Sequence, residues 1–413
     1  MAKKKSIAAD HYGKLFQYFL LAAYTAVMFV LFYRQCVGYG GDYWSDMGPY
    51  ILTIQGLEDR FSYPYPLMFA LAWVLARICT PECAMAIAVT LLNTLSVWMT
   101  DRYLLRFIRA RVAAAGEEMT PWREGMTHVL VLSLFFVSML YLPYSVSTAG
   151  GISRCMGTYT PNPLWNATYL ATRPFSVVSF FAGADLLEKY ERGASLREYL
   201  IFAVSLFLGA LAKPSFTLIA AAVYAVVLLY RFFKSRGRNL IKSLYFGFCV
   251  LPAGFLMLYQ FFGVFSGTNS AGEESGIGIA PGAVWSLFTD NIFRSVLLGC
   301  AFPLLVLLLN IKRLKTVSWF RHAWQLWLSG FLMFFFLYEK GFRMSHGNFA
   351  WGYMHGMFFA FLAGLMMLVK NTLEARLKKE KCAVCLEWLF YAAHLVCGVH
   401  FFLYMLAGQD PLV

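Results

Sequence analysis

The chain alternates between long apolar runs and short polar stretches. Apolar runs that could form helices lie at 15–33, 84–101, 126–144, 173–188, 198–212, 214–230, 243–262, 291–310, 322–338, 353–370 and 384–406. A membrane-spanning helix needs about 20 apolar residues, and helices are the spanning structure that satisfies its own backbone hydrogen bonds in lipid. The pattern therefore predicts an all-α, polytopic membrane bundle with about 11 transmembrane helices.

A twelfth apolar piece, 64–80, can be placed by the distribution of charge. If it lies in the interface, 26 of the 35 Lys and Arg residues fall on one side of the membrane and 9 on the other. Cytoplasmic loops carry such an excess of basic residues. We therefore expect a juxtamembrane helix at 64–80, a cytoplasmic N-terminus with a retained first helix, and a C-terminus outside.

Composition supports a membrane protein. The chain is 60% hydrophobic and 14% charged, with a mean hydropathy of +0.59, whereas soluble domains carry about 25% charged residues. The formal net charge of +13 could indicate nucleic acid, but the charge sits in short loops beside apolar runs. We expect a single integral-membrane domain over 1–413, in the cell membrane, with membrane lipid and no nucleic acid as a partner.

The long connections all fall on the predicted outer side. They are 34–83, 145–172, 263–290 and 339–352, whereas the inner loops are short and have no nucleotide-binding glycine pattern. Long loops on a rigid scaffold are where binding and catalysis concentrate. The sequence therefore predicts a functional site on the outer side and excludes nucleotide-dependent chemistry in the inner loops.

Two carboxylates follow the first helix. Asp42 and Asp46 are four residues apart and would share one face of a short helix. Apolar and aromatic neighbours, among them Trp44 and Tyr50, enclose Asp46. A carboxylate in such surroundings has a raised pKa and can act as a general base. Asp42 can equally be a hydrated loop carboxylate.

The few outer cations are candidate phosphate ligands. A lipid-linked phosphate needs several fixed cations, because Arg offers a bidentate fork and Lys a point charge. A cation at a helix end can instead reach the lipid headgroups by itself. The residues that we assign to the donor phosphate are Arg343, Lys213, His346, Lys340 and Arg173.

Aromatic and amide groups in the outer loops fit a sugar, which has apolar faces and many hydroxyls. The residues assigned to the sugar or acceptor are Trp44, Tyr159, Asn162, Trp165, Tyr169 and Glu339. Asn166-Ala167-Thr168 is a formal glycosylation sequon. A second acidic residue for a metal is not clearly placed, so we assign no metal site and no cofactor.

In layout the chain resembles the GT-C superfamily of integral-membrane glycosyltransferases, which use polyprenyl-phosphate-linked sugars. The resemblance covers most of the chain. It rests on Ser45-Asp46-Met47 in the first outer loop, Tyr63-Pro64-Tyr65-Pro66-Leu67, Lys213-Pro214-Ser215 and the late outer loop from Glu339 to Trp351. A departure is that no soluble C-terminal domain follows the last predicted helix, so the loops alone would recognise the acceptor.

The resemblance implies an inverting transfer from the carrier to a hydroxyl of a glycan, lipid or protein. Asp46 matches the family's first-loop carboxylate, the base, and Arg343 would hold the carrier phosphate. Stabilisation of the leaving phosphate by preorganised charge is usually the largest catalytic effect.

Three other classes of membrane protein stay open. A polysaccharide polymerase would place paired Arg-rich motifs in two large outer loops. A transporter or flippase for lipid-linked sugars often shows inverted repeats and charges at the membrane midplane, and no repeat is visible in the sequence. An acyltransferase would have a buried His-Asp pair or a His on an inner or midplane helix. His394 and His400 lie six residues apart in the last predicted helix, with no carboxylate near them in the sequence.

Overall fold

The computed structural model describes residues 2–59, 61–141, 160–265, 276–289, 291–375 and 377–409. It is 77% helical, which confirms the predicted helical class. The helices are α1 (Ala2–Gly38), α2 (Met47–Gln55), α3 (Leu67–Leu75), α4 (Pro81–Ala114), α5 (Pro121–Leu134), α6 (Ala167–Lys189), α7 (Leu196–Ala212), α8 (Ser215–Lys234), α9 (Leu240–Phe265), α10 (Ile292–Leu309), α11 (Ser318–Phe336), α12 (Ala350–Glu374) and α13 (Lys378–Leu406).

Within the described ranges, seven helical stretches are long and apolar enough to cross a membrane. They are Gly13–Gly38, Pro81–Ala114, Ser215–Lys234, Leu240–Gly263, Ile292–Leu309, Gly341–Glu374 and Lys378–Leu406. The predicted number of about 11 is not confirmed. Helices such as α5, with 14 residues, and α7, with 17, are shorter than a full span requires.

The apolar run 126–144 is only partly helical. Helix α5 ends at Leu134, and the following backbone pairs with other helices: Ser138 N donates to His394 O (3.2 Å) and Leu140 N to Leu298 O (2.9 Å). The Asn162 amide donates to the carbonyls of Leu134 and Val137. Because these tertiary bonds satisfy the backbone, the chain can leave the helix inside the bundle.

The piece 64–80 contains one short helix, α3. Its nine residues extend over about 14 Å at 1.5 Å per residue, far less than the hydrocarbon core of about 30 Å. Tyr63 stacks on Phe69 of α3, with 5.4 Å between the ring centroids. Helix α3 therefore packs on the first loop and does not span the bilayer as a helix.

Helix α12 is the most enclosed helix of the described bundle. All of its residues from Gly352 to Lys370 are buried, and it packs along α11. A Cβ atom on Gly356 would lie 2.7 Å from Trp327 Cα, and one on Gly330 would lie 2.8 Å from Gly352 O. Glycine is required there because the two helix backbones touch.

A small two-stranded antiparallel sheet, which the sequence analysis did not predict, orders the late loop. Strand β1 (Ile277–Ile279) pairs antiparallel with β2 (Leu337–Glu339), so that Ile277 lies opposite Glu339. A 3-10 helix at Gly341–His346 follows, and Gly347 then takes a φ of +57°. The strand pairing holds Glu339 just after the end of α11 and fixes where the late loop begins.

Several loops that are rich in basic residues contact one another at one end of the bundle. Ser318 donates to Glu188 (2.7 Å), Arg231 donates to Leu187 O, and Arg313 pairs with Glu374 (4.0 Å). These contacts join the ends of α6, α8, α11 and α12. We call this the basic end, and the opposite end, where α1 and α7 finish and α6 and α12 begin, the pocket end.

Candidate functional site

A cavity of about 370 Å³ opens at the pocket end. Six of the predicted site residues line it: Trp44, Asp46, Trp165, Lys213, Arg343 and His346. They come from four separate parts of the chain, which the fold gathers around one space. A pocket of this size, with polar groups converging on an aromatic lining, is typical of small-ligand sites.

Asp46 immediately precedes α2 and faces the cavity. Its backbone N–H donates to Trp165 O (3.4 Å), and its Oδ2 accepts a hydrogen bond from the Asn166 amide. Within the described residues, Asp46 Oδ1 has no assigned donor. Burial raises the pKa of Asp46 above its usual value, while the Asn166 hydrogen bond and the Lys213 charge partly oppose that rise.

Lys213 ends α7 in an extended conformation, with φ −171°. The following Pro214 disfavours a helical backbone at Lys213, so the chain turns there. The side chain is 7% exposed and donates to Asn166 Oδ1 (3.1 Å) and Thr168 Oγ1 (3.0 Å). Burial lowers its pKa to about 7, against the opposing charges of Asp46 and Glu339. Its Nζ also lies 4.2 Å from the centre of the Trp351 ring.

Asn166 links the carboxylate to the ammonium. Its Nδ2 donates to Asp46 and its Oδ1 accepts from Lys213, while the same oxygen caps α6 by accepting from Tyr169 N (2.9 Å). The amide thus holds the two opposite charges at a fixed separation. Because Asn166 is 2% exposed and both amide atoms are bonded, the sequon is closed to glycosylation in this fold.

Arg343 is held by the late loop. Its Nε donates to Glu339 Oε2 (2.9 Å), and Asn348 Nδ2 donates to the same oxygen. Within the described residues the two terminal nitrogens of Arg343 have no assigned hydrogen bond. Glu339, predicted to contact sugar or acceptor, instead lies behind Arg343 and orients it. The guanidinium fork is left to face the cavity.

Aromatic rings form the remaining wall. Tyr50, Tyr63 and Tyr65 line the cavity, and Tyr50 meets Tyr63 edge to face with 5.1 Å between centroids. His346 packs against Phe61 (5.8 Å) and Phe342 (5.6 Å). Burial raises the pKa of Tyr63 and of Tyr65, which keeps both phenols neutral donors. Rings in this wall present apolar faces that a sugar ring can contact.

Several lining residues were not predicted as site residues. Asn166, Tyr50 and Trp351 belong to this group. Asn before a helical run is a helix N-cap signal, so the N-cap role of Asn166 could be predicted from the sequence. Its hydrogen bonds to Asp46 and Lys213 could not. The Tyr63-Pro64-Tyr65 segment was identified only as the entrance to a helix.

Three predicted residues lie in the core and not at the cavity. Arg173 is fully buried and donates to Asn162 Oδ1 (2.9 Å) and Pro161 O (3.2 Å). Its guanidinium lies over the rings of Tyr169 and Phe358. These contacts tie the segment before α6 to the bundle. Arg173, Asn162 and Tyr169 are thus placed to support the structure around the site and not to touch a ligand in the cavity.

The other predicted residues are outside the cavity lining. Asp42 is exposed in the turn after α1, beside Gly408. Lys340 follows β2, and its backbone N–H donates to Gly276 O (2.9 Å). Tyr159 lies outside the described residues.

A buried histidine–aspartate pair occurs elsewhere. His128 Nδ1 lies 2.6 Å from Asp101 Oδ1, and Gln17 donates to the same carboxylate. The two side chains are 3% and 4% exposed, so neither offers a surface to a substrate. His394, by contrast, uses both ring nitrogens on the backbone of Ser138 and Phe302. We therefore assign these histidines to packing.

No group of three or more His, Cys, Asp or Glu side chains that could hold a metal ion occurs within the described ranges. The chain matches no family model, no curated protein and no solved structure. Its function must therefore be argued from the cavity itself.

Proposed function

We propose that the chain is an integral-membrane glycosyltransferase of the GT-C type, which moves a sugar from a polyprenyl-phosphate carrier to a hydroxyl acceptor. The observation that carries the proposal is the convergence of Asp46, Lys213 and Arg343 on one aromatic cavity. A carboxylate base and two phosphate-binding cations are the groups that this reaction needs.

Asp46 is the general base of the proposed reaction. Its Oδ2 is held by Asn166, so Oδ1 is the atom that accepts the proton of the acceptor hydroxyl. The deprotonated oxygen forms a new bond to the anomeric carbon as the bond from that carbon to the phosphate oxygen breaks. Attack from the face opposite the phosphate inverts the anomeric configuration.

The bond electrons leave with the polyprenyl phosphate, whose charge grows in the transition state. Arg343 binds that phosphate through its two terminal nitrogens, since Nε is occupied by Glu339. Lys213 adds a positive charge and His346 an imidazole ring to the cavity lining. Fixed donors in a buried site stabilise developing charge more strongly than water does, because they need no reorganisation.

The aromatic wall fits a neutral sugar. Trp44, Tyr50 and Trp351 line the space beside the charged groups, and Asp46 is the one acidic side chain in that lining. An acidic sugar would bring a second negative charge next to Asp46, which is unfavourable in a partly buried site.

The proposed topology places the pocket end outside and the basic end in the cytoplasm. The 26-to-9 split of basic residues supports this orientation. Helices α6 and α11, and the shorter helices α5 and α7 together with the non-helical backbone that follows each, would complete the bundle and bring the number of spans to about 11, while α3 lies in the interface. The carrier lipid would then reach the cavity from the outer leaflet.

Purified, reconstituted protein should be incubated with a panel of polyprenyl-phosphate sugars and hydroxyl acceptors. Release of polyprenyl phosphate, followed by chromatography, is the expected result with at least one donor. The matched control is the Asp46→Asn variant, which should bind the same donor without turnover. Saturable donor binding by the native chain, with no turnover of any donor, would reject the transferase and favour transport.

A further inference from the structure

A second cavity, of about 870 Å³, lies at the basic end. Its walls come from the ends of α6 and α8, the 3-10 helix at Ile311–Lys315 and the start of α11. The lining residues are Leu187, Glu188, Glu191, Val227, Tyr230, Arg231, Lys234, Ser235, Leu314, Lys315, Arg321 and Gln325. The reaction proposed for the pocket end does not use this cavity.

Two guanidiniums in the cavity are fixed by backbone carbonyls. Arg231 donates to Leu187 O. Arg321 donates to Leu314 O (3.0 Å) and to Lys315 O (3.3 Å). Both side chains line the same cavity, so the fold holds two like charges near each other. An anion between them would relieve this repulsion.

The two carboxylates of the cavity neutralise its four cations only in part. Glu188 accepts a hydrogen bond from the Ser318 hydroxyl (2.7 Å), and Glu191 accepts from Tyr190 (3.1 Å) and Asn239 (3.2 Å). The nearest pairing, Arg231 with Glu191, is 3.8 Å. Lys234 and Lys315 add two more positive charges to the lining. The cavity therefore has an excess of positive charge.

One wall of the cavity continues into an apolar surface. Val227 and Tyr230 line it, and Tyr230 is 63% exposed. On the same helix, Val226, Leu229 and Phe233 are also exposed. An apolar surface of this kind on a candidate membrane span faces acyl chains, so a bound molecule can place an anionic head among the cations and a tail along α8.

We propose that this cavity binds the phosphate headgroup of an anionic membrane lipid. Arg231 and Arg321 form bidentate contacts to phosphate oxygens, and the two lysines add charge at the rim. A free phosphate compound has the same headgroup chemistry but gains nothing from the apolar wall. Basic pockets between helices are suited to anionic lipid heads because head and tail are bound together. The proposal is independent of the reaction at the pocket end.

The test titrates the detergent-solubilised full chain with short-chain phosphatidylglycerol, short-chain phosphatidylcholine and glycerol 3-phosphate. We expect saturable binding of phosphatidylglycerol, at least about tenfold tighter than either of the others. The double variant Arg231→Gln with Arg321→Gln should weaken it by about tenfold or more. The matched control is Arg197→Gln with Arg236→Gln, which removes two exposed cations outside the cavity lining and should change affinity by less than about twofold.

The arginine double variant could misfold, because both arginines hold backbone carbonyls. A second double variant, Lys234→Gln with Lys315→Gln, avoids this, because neither lysine side chain holds a backbone carbonyl in the described structure. This variant should lower the affinity for phosphatidylglycerol by about three- to tenfold. Equal losses in this pair and in the control would mean that the whole basic end attracts anions diffusely, and the site would be rejected. If glycerol 3-phosphate bound as tightly as phosphatidylglycerol, the cavity would be a site for soluble phosphates. If phosphatidylcholine bound as tightly, the net charge of the headgroup would not matter for binding. Either result overturns the proposal.

Discussion

The Asn166 side chain keeps Asp46 and Lys213 from neutralising each other by direct contact. An ammonium bonded directly to the carboxylate would lower its basicity and occupy the oxygen that must take a proton. Here the amide receives the Lys213 hydrogen bond on one atom and donates to Asp46 from the other. A single polar residue thereby leaves a base and a cation available in one cavity.

We expect Asp46→Asn to bind donor normally and to lose turnover by about 10²-fold or more, the scale of general-base catalysis. The asparagine oxygen can still accept from Asn166, so the cavity should keep its shape. The measurement is single-turnover transfer beside donor binding. The control is Asp42→Asn, at an exposed position in the turn after α1, and it should lower the rate of transfer by less than about twofold. The same loss in Asp42→Asn would place the base one helical turn earlier.

The pH dependence of transfer should be bell-shaped. The active form has Asp46 deprotonated and Lys213 protonated. The rate rises with pH through the raised pKa of Asp46 and falls as Lys213 loses its proton at a pKa of about 7. In Lys213→Arg the alkaline fall should vanish up to about pH 9, because Arg stays charged. An unchanged alkaline limb in that variant would assign it to another group.

Arg343→Lys should raise the dissociation constant of the donor by about tenfold, and Arg343→Ala at least as much. A lysine has one nitrogen, which can satisfy Glu339 or the phosphate but not both, whereas Arg343 uses Nε for Glu339 and keeps its fork. Calorimetric titration with a donor analogue measures this. Arg77→Ala, a cation that contacts Trp73 away from the cavity, serves as control. Unaltered affinity in both Arg343 variants would move the phosphate site elsewhere.

At the scale of elements, three polar residues of the site lie at helix ends. Asp46 precedes α2, Asn166 caps α6 and Lys213 ends α7. Helix ends bring irregular backbone and polar groups to the surface of the bundle, so several ends can meet at one cavity. The close packing of α12 against α11 fixes the position of Trp351, which lies at the start of α12 and lines the cavity.

Gly356→Ala should destabilise the protein by about 1–3 kcal/mol, the usual cost of overpacking. The new Cβ would lie 2.7 Å from Trp327 Cα, so one helix must move away from the other. Turnover should fall as well, because Trp351 moves with α12. Chemical denaturation in detergent compares it with Gly247→Ala on α9, where a Cβ meets nothing within 4 Å. Equal stability of the two variants would show that α11 and α12 are not in backbone contact.

At the scale of the whole molecule, the proposed orientation can be tested with two single cysteines in a cysteine-free background. Gly41→Cys lies at the pocket end, where a side chain meets nothing within 4 Å, and Ala114→Cys is exposed at the end of α4. A membrane-impermeant maleimide added to intact cells should modify the first and miss the second. Labelling of Ala114→Cys would reverse the orientation of α4 and remove the outer position of the site.

The sequence by itself determined the helical class and the positions of eleven of the helices. Each of the eleven apolar runs overlaps a helix, because apolar periodicity and charge placement are local properties. Asp46, Lys213 and Arg343 were also identifiable, since each is a rare ionisable group among apolar neighbours. The prediction of length was weaker: α5 ends ten residues before its apolar run does.

Tertiary structure alone decided which of these groups belong together. Asn166 meets Asp46 across 120 residues and Lys213 across 47, and no local pattern encodes such contacts. Arg173 has the same sequence character as Lys213, a cation before proline, yet it points into the core because Pro161 O and Asn162 accept its hydrogen bonds. The side chain of a cation at a helix end points toward the acceptors of its hydrogen bonds, and the location of those acceptors depends on how the helices pack.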